Sequence, residues 1–115
     1  MSQPGEIVLA SYPYDDFTSQ KIRPVLCLSK SIGPYRRVIV SYITSKVSSV
    51  QLPSEVVLTK GRKGFAQTGL KVPSTILLHR LISVPEGDFK RKLGSISSDQ
   101  HQIIKKKLAE LLELH

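Results

Sequence analysis

Tryptophan is absent from the chain, cysteine and methionine occur once each, and nine acids stand against seventeen Lys or Arg. Each scarcity removes a class of protein. A single cysteine, Cys27, cannot close an internal disulfide, and its place inside an apolar run predicts a buried thiol. The three histidines, at 79, 101 and 115, are scattered, and none joins a cysteine at metal-ligand spacing. The glycines of KGRKGFAQTG are not followed by a helical pattern, so no phosphate-cradling loop is read there, and no GxSxG elbow occurs. Neither a metal nor a cofactor is expected. No apolar stretch approaches the ~20 residues of a membrane span, and the N-terminus lacks the charged-then-apolar order of a signal peptide. The expectation is a cytoplasmic protein without membrane contact.

What is present fits one globular domain over residues 1–115, with 40% apolar and 23% charged residues and room for a single modest core. The net charge of +8 is unevenly placed. Between Phe17 and Pro85 there are eleven Lys or Arg against one acid, Glu55. Residues 1–16 are acidic instead, through Glu6, Asp15 and Asp16. A one-sided central charge makes a positive field suited to a polyanion, and nucleic acid is the expected partner.

Five strands are read from apolar and β-branched runs between turn signals: Glu6–Tyr12, Ile22–Ser29, Arg36–Thr44, Glu55–Leu58 and Thr75–Val84. PYDDFTSQK and the Gly33-Pro34 turn separate the first three. The period then changes: Ile104, Leu108 and Leu111 recur at helical spacing, and Ser97 with Gln100 forms a capping-box pattern that starts a helix near Ser98. Mainly β with one C-terminal helix describes a small, strongly bent antiparallel sheet or barrel.

Candidate chemistry is confined to strand ends. Arg23 opens the second strand beside Pro24, and Thr44 with Ser45 closes the third. Strict alternation in the fifth strand puts Ile76, Leu78, Arg80, Ile82 and Val84 on one face and His79 on the other. His79 alone reads as a hydrogen-bonded structural histidine. One reaction needs no metal and suits such a set: cleavage of RNA by its own 2′-hydroxyl. It requires a cation against the developing phosphorane charge, hydrogen-bond donors to the phosphate, and groups that move protons. Arginine is the better cation, because its planar fork can bond two phosphate oxygens and stays charged.

At these residues the sequence resembles the MazF/PemK toxins of type II toxin–antitoxin systems. GEIVLASYPYDDF is similar to the family's opening, KIRPVLCLSK to its Arg-Pro strand, and VIVSYITSK to its third strand ending in Ile-Thr-Ser. GFAQTGLKVPSTILLHRLISV and RKLGSIS complete the ordered set. The resemblance implies an SH3-like β-barrel of about five or more antiparallel strands, MazF/CcdB-like, forming a homodimer. It implies metal-independent, sequence-specific cleavage of single-stranded RNA, inhibition by an acidic antitoxin protein, and contact with DNA only through that antitoxin. By carry-over Arg23 is the phosphate-stabilising arginine and Thr44 the strand-end threonine. His79 stands where the family often has an acid, and would act as base or acid. Thr18, Ser19, Gln20 and Lys21, with Ser45 and Lys46, would contact RNA, and the basic loop of Lys60, Arg62 and Lys63 would guide the strand. Tyr12, Tyr14 and Phe17 are candidate stacking platforms. A second reading on the same barrel is a non-catalytic nucleic-acid or protein-binding module.

Overall fold

The computed structural model describes the backbone of residues 3–13 and 20–114, with side chains described for 3–11 and 21–114. Six strands are present: β1 (Glu6–Pro13), β2 (Gln20–Cys27), β3 (Arg37–Thr44), β4 (Glu55–Leu58), β5 (Ser74–Pro85) and β6 (Phe89–Ser95). A C-terminal helix, α1 (Ser98–Leu111), follows. The strands form one antiparallel sheet in the order β4-β5-β3-β2-β1-β6. Since β4 and β6 do not pair, the expected barrel is not closed. The sheet is open, with a sixth strand beyond the five read from the sequence.

Two buried clusters replace the single expected core. In β1 and β2 neighbouring residues point to opposite faces, so Ile7 and Leu26 join one cluster while Val8 and Val25 join the other. The first, with Ile43, Leu58, Ile76 and Leu78, is covered by α1 through Ile104. The second contains only strand residues, among them Val38, Val40, Val84 and Cys27. Its burial without a covering helix requires the sheet to fold over on itself. Bulges supply the bends: β1 shifts register twice against β6, and β5 shifts once against β3.

The helix begins as its sequence predicts. The Ser97 side chain accepts from the Gln100 backbone N–H at 3.2 Å, and the Gln100 side chain accepts from Ser97 N–H at 3.0 Å. Two donors that the helix cannot satisfy internally are thereby paired. A short 3-10 turn (Ala66–Thr68) docks on β6. A Cβ on Gly94 would lie 2.1 Å from the Gln67 carbonyl oxygen, so only glycine permits that approach.

Candidate RNA cleft

A cleft of about 930 Å³ opens where β2 and β3 part. The two strands pair only from Val25 to Cys27, opposite Tyr42 to Val40. β2 continues to pair with β1 as far as Gln20, so Gln20–Pro24 stand away from β3. Pro24 has no N–H to give a ladder, and it sits one residue before the β2–β3 pairing begins. Arg23 and Lys21 line the cleft on this bank.

The opposite bank and floor come from β3, β5 and β4. Tyr42 pairs with Leu77, and Leu77 pairs with Glu55. Thr44 pairs with Thr75 two residues along, on the same face. All five line the cleft. Two threonine hydroxyls hold the chain after β3. Thr44 Oγ1 accepts from Lys46 N–H at 3.2 Å, and Thr75 Oγ1 donates to the Lys46 carbonyl at 3.0 Å. With its oxygen accepting, Thr44 keeps its own O–H as a donor. Ser45 and Lys46 also line the cleft.

The register of β5 corrects the alternation expected for it. Ser41 pairs with Leu81 but Tyr42 pairs with Leu77, so Leu78, His79 and Arg80 bulge from the ladder. The buried Ser41 hydroxyl donates to the Leu77 carbonyl at 2.6 Å and anchors this bulge. The consequence is a change of face. Ile76 and Leu78 belong to one buried cluster, Ile82 and Val84 to the other. Arg80 enters the cleft, with its guanidinium carbon 4.8 Å from the centroid of the Tyr42 ring.

His79 is not among the cleft-lining residues. Its Nδ1 lies 2.7 Å from the Ser54 hydroxyl, which fastens the bulge to the residue before β4. A role in proton transfer within the cleft does not fit that position. Lys60, Arg62 and Lys63 are likewise outside the cleft lining. Their loop lies toward the helix start, where a Cβ on Gly64 would be 3.3 Å from Ser97. Thr18, Ser19, Tyr14 and Phe17, and the side chains of Gln20 and Tyr12, lie outside the described residues.

Six cations line the cleft: Lys21, Arg23, Lys46, Lys71, Arg80 and Arg91. Glu55 is the one acid among the described lining residues. Arg80, Arg91 and Glu55 were not legible as partners, because each enters through a bulge or a non-local strand pairing. Two other titratable groups are shifted. Burial, aided by the charges of Glu6 and Glu86, pushes the Cys27 thiol up to about 12. Burial also raises Glu6, but the Gln3 N–H at 2.8 Å and the Lys92 ammonium at 3.0 Å outweigh it and hold the carboxyl below its usual value. No helix among the described residues is long and apolar enough to cross a membrane.

An open, folded-over antiparallel sheet with one terminal helix and a cationic cleft defines a small basic binding or nuclease domain. The comparison with known families is more particular. The family of PemK-like, MazF-like toxins of type II toxin–antitoxin systems matches residues 3–112, and the chain belongs to it. Among solved structures, the Mycobacterium tuberculosis toxin MazF-mt6 is similar at 26% identity, covering 96% of this chain and 98% of its own, with a TM-score of 0.72. MazF from Deinococcus radiodurans shares the fold at 20% identity, covering 98% and 97%, with a TM-score of 0.70. So does an endoribonuclease in complex with its cognate antitoxin from a mycobacterial species, at 15% identity, covering 100% and 98%, with a TM-score of 0.72. No curated protein sequence matches the chain.

Proposed function

We propose that this chain is a metal-independent, sequence-specific endoribonuclease toxin of the cytoplasm. It cuts single-stranded RNA by attack of the substrate's own 2′-hydroxyl, works as a homodimer, and is neutralised by an acidic antitoxin protein. The observation that carries the reading is that Arg23 and Thr44, twenty-one positions apart in the chain, line one cationic cleft. Arg23 offers its planar fork to the non-bridging oxygens of the scissile phosphate, and the Thr44 hydroxyl donates a further hydrogen bond as negative charge builds. Lys21, Lys46 and Lys71 hold the flanking phosphates. Arg80, braced on Tyr42, supplies a second guanidinium. The antitoxin-bound mycobacterial relative supports the protein partner, and an acidic chain is the natural competitor for a cleft with six cations and one acid.

The position of His79 outside the cleft favours the second reading, a non-catalytic binding module. One assay separates the two. The folded protein is incubated with a long RNA in excess chelator, and the fragment ends are characterised. The nuclease reading expects discrete fragments ending in a 2′,3′-cyclic phosphate and a 5′-hydroxyl. Tight binding without cleavage replaces it with the binding module.

A further inference from the structure

We infer that Glu55 is the base that takes the proton from the attacking 2′-hydroxyl, an assignment that rests on the nuclease reading. Transesterification needs a proton acceptor near neutral pH, and among the described lining residues Glu55 is the only carboxylate. Cross-strand register places it. Glu55 faces Leu77, which faces Tyr42, and directly opposed residues share a sheet face. With strands ~4.8 Å apart, β4 and β3 are separated by about 10 Å. The carboxylate therefore stands on the far side of Leu77 from Thr44 and the Arg80–Tyr42 pair. A ribose can lie over Leu77 between them.

The residue is held in place without using up its chemistry. Its N–H donates to the Leu52 carbonyl at 3.0 Å, and its own carbonyl accepts from Gln51 Nε2 at 2.8 Å. Oε1 accepts from the Leu52 N–H at 3.0 Å, which leaves Oε2 uncommitted among the described residues. In the step, the 2′-O–H bond breaks and its proton passes to Oε2. The 2′-oxygen bonds to phosphorus, the bond from phosphorus to the 5′-oxygen breaks, and that oxygen takes a proton from water. Glu55 then returns its proton to solvent. The charged groups that share its cleft are the six cations named above, and His79 on the neighbouring strand is engaged with Ser54.

Glu55→Gln is the decisive variant, because a glutamine oxygen still accepts from Leu52 N–H while the side chain no longer takes a proton. Single-turnover cleavage of an RNA spanning a mapped cut site is compared for wild type, Glu55→Gln and Glu55→Asp. Affinity is measured separately with an uncleavable RNA carrying 2′-deoxyribose at the cut. The expected result is a loss of about 10²–10⁴ in rate for Glu55→Gln, with affinity retained and part of the rate restored by aspartate. The acid-side limb of the wild-type pH profile should vanish in Glu55→Gln. The loss should persist on a substrate whose 5′-oxygen is replaced by sulfur, a leaving group that needs no acid. The assignment is overturned if Glu55→Gln cleaves at the wild-type rate, if weaker RNA binding accounts for its loss, or if the sulfur substrate restores it. If wild type itself leaves RNA intact, the nuclease reading falls and this assignment with it.

Discussion

Arg23 and Lys21 stand on the same stretch of β2, yet only one of them has a fork. A lysine carries its charge as a point on a flexible stem and cannot bond two phosphate oxygens in a fixed plane. Arg23→Lys should therefore keep most RNA affinity and lose most cleavage, whereas Arg23→Ala should lose cleavage altogether with little change in melting temperature. Rate and affinity measured on the same RNA check both statements. Cys27 makes an independent residue-scale case. Its folded-state pKa is raised to about 12 from an ordinary 9.0, so the thiol stays protonated in the fold while an unfolded thiol ionises. The contribution is fully present below pH 9.0 and is lost as pH climbs toward 12. Denaturant titrations between those limits should show stability falling more steeply for wild type than for Cys27→Ala, and thiol reagents should label Cys27 only after unfolding. Glu6 runs the other way. Its depressed pKa stabilises the fold at neutral pH and is lost as pH falls below about 4.5, so Glu6→Gln should blunt acid unfolding.

The elements that shape the cleft do so through irregularities. The three-residue bulge in β5 sends Arg80 to the cleft and His79 to Ser54, and it hangs on the Ser41 hydroxyl. Ser41→Ala removes that donor from the half-buried Leu77 carbonyl, and should cost about 0.5–1.5 kcal/mol of stability. Gly94→Ala meets backbone rather than a yielding side chain, so the 3-10 turn must lift from β6. Its effect is expected at the Gly69–Val72 wall of the cleft as well as in the melting temperature, and amide hydrogen exchange over residues 66–72 checks it. These same irregularities mark where sequence reading stops. Thr44 was legible because it ends β3 at a polar break, and Arg23 because it stands beside a proline, although β2 begins three residues earlier, at Gln20, than a strand opened by that arginine. Alternation carried the β5 reading through Leu78 and then failed, because nothing local announces a bulge whose anchor, Ser41, lies on another strand. β6 was missed for a different reason. Lys90, Arg91 and Lys92 carry no apolar alternation, and the strand exists because it is an edge against β1, with Lys92 paired to Glu6. Glu55 was visible as a strand start, but its row with Leu77 and Tyr42 follows from pairings distant in sequence.

At the scale of the molecule, charge and openness act together. A sheet that folds over without closing leaves β2 and β3 apart at one end, and the cations of three strands and two loops meet in that gap. Binding of single-stranded RNA should therefore weaken steeply with salt, with a slope of about −0.7 per phosphate contacted. Arg80→Gln and Lys71→Gln should each flatten that slope, while changes at Lys60 or Arg62 should leave it nearly unaltered. On the proposed function an acidic antitoxin would compete for the same field, so its affinity should show the same dependence. The most direct test of the central claim is a double-mutant cycle on cleavage rate with Arg23→Lys and Thr44→Val. Two groups gripping one phosphate act as a unit, so the double variant should be little slower than the worse single one. Losses that simply multiply would mean that the arginine and the threonine serve separate linkages.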